Sequence, residues 1–251
     1  LSGGKPIGFK LCVGKKHEFL GICKAILSTN IIPDFITVDG AEGGTGAAPL
    51  EYVNHVGSPL NDGLIFVHNA LVGIGVREHV RIIASGKVAT GFDMVTKLAL
   101  GADMCNCARA MMLALGCIQS RQCNTNACPT GVATQNKRLY KGLAVKAKKI
   151  RVAQYHDVTM ESFLSLIAAM GIKNPSDLNP AHIMRRISQG VVKNYAEIYE
   201  YLEPNALLKS DKDIVCSFKH EWSLSSEHSF DGVKAKVSKP KPKSKKPKAD
   251  A

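Results

Sequence analysis

Four short apolar runs punctuate the first 115 residues: GFKLCVG at 8–14, DFITVDG at 34–40, VRIIASG at 80–86 and DMCNCA at 103–108. None alternates strictly between apolar and polar positions, which is the pattern of strands buried on both faces of a parallel sheet. Helix-like stretches separate them, from His17 to Ser28 with apolar Phe19, Leu20, Ile22 and Cys23, from Asn61 to Val76, and from Phe92 to Leu100. Strand followed by helix, four times over, predicts α/β architecture. The sheet is then either open or part of a closed (β/α)8 barrel, and a barrel requires four further units before Leu1.

The texture changes after residue 136. Residues 137–152, KRLYKGLAVKAKKIRV, are basic, and 157–187 alternate apolar helical stretches, MESFLSLIAAMGI and AHIMRRIS, with the break KNPSDLNP. In SFLSLIAAM the spacing of Phe163, Leu164, Ile167, Ala168 and Met170 gives one apolar face, as expected of a helix packed on the main body. Three units are expected: the α/β part over 1–136, a helical extension over 137–202, and an irregular segment with a tail over 203–251.

Composition is that of an ordinary soluble chain of 251 residues, 45% hydrophobic and 22% charged. No run approaches about 20 consecutive apolar residues and no signal-peptide pattern opens the chain, so a cytoplasmic location is expected. Leu1 is not a translational start, and a targeting segment upstream of it would be invisible. The net charge of +12 is concentrated in KAKVSKPKPKSKKPKADA, residues 234–251, whose eight lysines and one aspartate supply seven of those charges. Alternating Lys and Pro builds no core. Either the tail is a solubilising, charge-steering segment or it meets an anionic partner, and no specific nucleic acid is expected.

Five of the eight cysteines, Cys105, Cys107, Cys117, Cys123 and Cys128, crowd one 24-residue window, too thin a set for a disulfide scaffold. The last three read C-x5-C-x4-C, with Gly116 before and Gly131 after. Three thiolates on a glycine-punctuated loop suit soft metals, iron–sulfur or zinc; a fourth ligand, where needed, would come from Cys105, Cys107 or Cys216. Buried thiols and a redox disulfide remain alternatives. His55, His68 and His79 have no metal spacing and read as core or surface histidines.

Chemistry is expected where parallel strands end, because the functional loops gather at that edge. The first strand carries Lys10 and Cys12. The second ends in Asp39 and Gly40 followed by AEGGTGAAP, in which Gly43, Gly44 and Gly46 let a ligand approach the backbone and Thr45 adds a hydroxyl; a plain turn would look the same. The third ends in Ser85, Gly86 and Lys87 and the fourth in Ala108 and Arg109. Such a pair of loops grips a phosphate in many barrels, the alternative being a solvated lysine and an arginine paired to a helix carboxylate.

Assembled, KPIGFKLCVG, ITVDGAEGGTGAAPLEYVNHVGSP and IIASGKVATGFDMVTKLALGADMCNCARAMMLALGCIQSRQCNTNACPTGVATQN resemble the FMN-binding domain of glutamate synthase and its stand-alone relatives. The resemblance implies the C-terminal half, about strands 5–8, of a (β/α)8 TIM-type barrel. It implies FMN at the C-terminal face and a [3Fe-4S] cluster on Cys117, Cys123 and Cys128. The implied reaction is reduction of 2-iminoglutarate, formed from 2-oxoglutarate and ammonia, to L-glutamate by hydride from reduced FMN. Carried over by position, Gly86, Lys87 and Arg109 match the phosphate end of the flavin site. Lys10 matches a lysine that points at the flavin or the substrate carboxylate. Lys10 and Glu42 are the catalytic candidates. Lys10, Asp39, Gly40, Gly43, Gly44, Thr45, Ser85, Gly86, Lys87, Ala108 and Arg109 are the cofactor-binding ones. The family's usual HDGGTGA reads AEGGTGA here, with Ala41 for the histidine and Glu42 for the aspartate. The expected partners are the small-molecule substrate, an unidentified electron donor and the first half of the barrel, and a homo-oligomer is compatible with the same resemblance.

Overall fold

The four apolar runs become strands because helices on one side bury their branched side chains. The computed structural model describes residues 2–43, 46, 48–210, 214 and 216–233. Strands β1 (Gly8–Cys12), β2 (Phe35–Asp39), β3 (Arg81–Ser85) and β4 (Met104–Asn106) pair in parallel in that order. Helices α1 (Lys16–Thr29), α2 (Leu60–Gly73) and α3 (Gly91–Ala99) connect them, and α4 (Arg109–Ala114) follows β4. In register, Cys12 faces Asp39, Asp39 faces Ser85 and Ser85 faces Asn106, so the four C-terminal ends lie in one row.

Side chains alternate across a strand, and here the alternation separates two unlike faces. Ile36, Val38, Ile82 and Ala84 are fully buried in one core with Leu20 and Cys23 of α1, Leu64, Val67 and Leu71 of α2, and Val95 of α3. The opposite face carries Lys10, Cys12, Thr37, Asp39, Ile83, Ser85, Met104 and Asn106, of which Thr37 alone is buried. Helix α3 starts under a capping box in which Thr90 accepts from the Asp93 N–H and Asp93 from the Thr90 N–H.

Beyond α5 (Lys137–Tyr140), the long α6 (Val145–Ala169) packs against α3 through Phe163 and Ile167. Its apolar face is narrower than the sequence spacing suggests, since Leu164 is 53% exposed. The backbones of α3 and α6 approach so closely that a Cβ on Gly91 would lie 2.5 Å from the Phe163 nitrogen.

The stretch AHIMRRIS does not form the helix its spacing suggests. Pro180 opens a single 3-10 turn, and β5 (Met184–Ser188) follows, paired antiparallel with β6 (Val191–Asn194). Gly190, at φ 77°, makes the tight return, and the β-branched Ile187, Val191 and Val192 favour the extended form. The segment expected to be irregular after residue 203 also holds order. After α7 (Tyr195–Ile198), helix α8 (Lys219–Leu224) lies on α1. Phe218 stacks on Phe66 at 5.1 Å, and Lys24 donates to the Trp222 and Ser225 carbonyls while its ammonium sits 4.9 Å over the Trp222 ring. Among the described residues no helix is long and apolar enough to cross a membrane.

Candidate functional site

The parallel register places Lys10 of β1 next to Asp39 of β2, with Nζ 2.6 Å from Oδ2 and the lysine side chain 58% exposed on the open face. Cys12 lies one pleat further along β1, opposite Asp39. Partial burial and then the Asp39 charge push its thiol above the ordinary range, so it stays protonated.

Past Asp39 the chain is stitched to the neighbouring loops through its backbone. The Gly40 N–H donates to the Ser85 carbonyl at 2.9 Å, and the Gly43 N–H turns back to the Gly40 carbonyl at 3.0 Å. Gly86, at φ 150°, packs so tightly that a Cβ there would meet the Gly40 nitrogen and Leu60 Cδ2 at 3.3 Å each. Ala41 donates to the Ser58 carbonyl at 2.9 Å and accepts from the Asn54 N–H at 2.8 Å. The Glu42 carboxylate accepts the Leu60 N–H at the start of α2, with both oxygens at 3.0 Å. Gly44 and Thr45 lie outside the described residues.

The predicted cations of the third and fourth strand ends are exposed to different degrees. Lys87 sits at φ 50°, exposed, with Nζ 3.5 Å from Asn54 Oδ1. Ala108 precedes α4 and Arg109 begins it. Arg109 is half-buried, and among the described residues no hydrogen bond or ion pair occupies its guanidinium. Lys10 is paired, Lys87 loosely held and Arg109 open.

The cysteine loop returns to the same edge. Arg121 donates to the Ala48 carbonyl at 2.7 Å, and a Cβ on Gly46 would lie 2.9 Å from Cys123 Sγ, so this loop touches the glycine loop. Cys128 is buried, with Thr130 Oγ1 3.5 Å from its sulfur. That hydroxyl, together with the N–H groups of Ala133, Thr130 and Val132, brings its thiol down to about 7. Cys117 Sγ accepts the Gln119 N–H at 3.4 Å. All eight cysteines are unpaired, and burial pushes Cys105 up to about 11. Among the described residues no three His, Cys, Asp or Glu side chains are gathered closely enough to hold a metal ion.

His68 is a core histidine, accepting from Arg77 Nε at 3.1 Å and driven down to about 4 by burial and by the guanidinium, while His55 and His79 are exposed. Asn54, Arg121 and Thr130 were not singled out by motif. Asn54 and Arg121 gain their importance from partners far along the chain, but Thr130 could have been found from its place two residues after Cys128.

The model described as "Conserved region in glutamate synthase" matches residues 1–173. The chain is 41% identical to the glutamate synthase large subunit-like protein YerD of Bacillus subtilis (strain 168), over 76% of this chain and 37% of that one. It is 37% identical to the archaeal glutamate synthase [NADPH] of Methanocaldococcus jannaschii, over 69% of this chain and 33% of that one. The chain thus spans about a third of the length of these relatives. Among solved structures, a mutant flavocytochrome b2 with benzoylformate aligns over 70% of this chain and 34% of that chain, at 14% identity and a TM-score of 0.44.

Proposed function

This chain belongs to the glutamate synthase family, and on that premise we propose that its strand ends form part of an FMN-dependent site that reduces 2-iminoglutarate, from 2-oxoglutarate and ammonia, to L-glutamate. The observation that carries the reading is the row of strand ends within the matched region, where the loop after β2 is bonded to the end of β3 and Arg109, at the start of the helix after β4, lies open.

The residues fit the group. Lys87 and Arg109 supply positive charge for a phosphate, while Gly86, packed on Gly40, brings the two loops together. Gly40, Gly43, Gly44, Thr45, Ser85 and Ala108 would complete the cradle. Bound FMN would supply the hydride, which is chemistry no side chain here can perform. Lys10, held by Asp39 on the open face, would orient a dicarboxylate and offset its charge. The parallel sheet, bare on that face, supports its being the last four strands of a (β/α)8 barrel, since all-parallel sheets are covered on both sides. Cys117, Cys123 and Cys128 would hold a [3Fe-4S] cluster. The donor chemistry fits, with Cys128 already stabilised as thiolate, although the three sulfurs are not gathered here.

The test is anaerobic reconstitution of the intact protein with FMN, iron and sulfide. Flavin absorbance, a three-iron EPR signal and glutamate formed from 2-oxoglutarate and ammonia are expected. Failure to bind flavin would sink the assignment, and an EPR signal unchanged by Cys123→Ala would remove the cluster.

A further inference from the structure

Resting on that reading of the sheet edge, we infer that Glu42 is a positioning residue: its carboxylate ties the glycine loop to the first turn of α2 and transfers no proton during the reaction. This differs from the catalytic role its place in the sequence suggests. The first N–H groups of a helix have no partner within the helix, and a side chain at the N-cap usually supplies one. The N-cap of α2 is Pro59, which makes no such bond. Glu42, arriving from the loop after β2, accepts the Leu60 N–H with both oxygens, at 3.0 Å each. A negative charge at a helix N-terminus also interacts favourably with the aligned peptide dipoles.

The surroundings are shaped to that contact. A Cβ on Gly40 would lie 2.0 Å from Glu42 Oε2 and 2.6 Å from Leu60 Cβ, so only glycine lets the carboxylate reach the helix. Ala41, the neighbour of Glu42, is buried and bonded through its backbone to both Ser58 and Asn54. Asn54 in turn faces Lys87, at 3.5 Å. One strut thereby aligns the glycine loop, the 52–58 turn and the cation of the third strand end. The small Ala41 fits its buried position, and the Glu42 side chain is long enough to span to Leu60.

The experiment compares Glu42→Gln, Glu42→Asp and Glu42→Ala in the intact protein by amide hydrogen exchange at Leu60, FMN affinity and the pH profile of turnover. Gln keeps an acceptor of the same length, so exchange, flavin affinity and pH profile stay within about twofold of the parent. Loss of a helix cap makes Leu60 exchange roughly fivefold to tenfold faster in Ala, with flavin affinity falling alongside, and Asp lies between. Turnover abolished in Gln, with Leu60 protection and flavin affinity intact, overturns the inference and makes Glu42 the proton-transfer group. If the parent binds no flavin, the proposed function falls, and Leu60 exchange alone decides the strut: no acceleration in Ala refutes it.

Discussion

The two edges of the four-stranded sheet are built from similar residue types and used in opposite ways. At the N-terminal edge every side-chain nitrogen of Arg77 is occupied: Nε by His68, one terminal nitrogen by the Val80 carbonyl, the other by the Gly101 carbonyl and by Asp103 at 2.9 Å. Asp103 also accepts the Ile82 N–H at 2.7 Å, and Asp34 accepts that of Ile7 at 2.7 Å. These groups fasten strand starts to one another. At the C-terminal edge the strand ends are followed by glycines, an open arginine and a loosely held lysine. Saturated polar groups stabilise, and unsaturated ones are available to a ligand, which is the division of labour seen between the two ends of β/α barrels.

Substitutions of like residues at the two edges should therefore separate stability from binding. Arg77→Ala strips partners from a mostly buried carboxylate and histidine and should cost about 3 kcal/mol in urea unfolding. Acid should act on the same network. His68 is held near 4, below its ordinary 6.5, so its neutral form adds stability in full above pH 6.5, lost as pH falls toward 4, on the order of 3 kcal/mol. His68→Gln should flatten that part of the stability profile, with Arg77 and Asp103 unchanged. Arg109→Ala should leave unfolding within about 0.5 kcal/mol of the parent, yet weaken FMN binding by about 2 kcal/mol, measured by flavin fluorescence. Lys10→Met should cost up to about 1 kcal/mol in unfolding, because the lysine is exposed while its partner Asp39 is only 17% exposed, and should raise KM for the proposed dicarboxylate. Equal stability losses at both edges would erase the distinction.

The strand–helix repeat is legible because each run of branched apolar residues is long enough for one strand and ends in glycine or a small residue. All three predicted connecting helices form within a few residues of their expected bounds. The hairpin at 184–194 is not legible, because AHIMRRIS carries helical spacing and only Pro180 and Gly190 reveal the turns around it. Helix α8 is not legible either, since its stability comes from Phe66 and Lys24, which lie more than a hundred residues away. At the site, the sequence identifies Glu42 as an acid near glycines but gives no hint that Leu60 is its partner. The contact between the cysteine and glycine loops is likewise a product of tertiary folding.

The parallel order of the strands also governs how the chain reaches its native state. Pairing Gly8 with Phe35, Phe35 with Arg81 and Ile83 with Met104 requires a whole connecting helix to form and swing back before any ladder bond closes. Such distant contacts delay the rate-limiting step, so refolding on the millisecond-to-second scale is expected. During that interval β1 and β4 present unpaired edges that can join other chains as readily as their own. Dilution should therefore raise the refolded yield, because it slows encounters between chains but not closure within one.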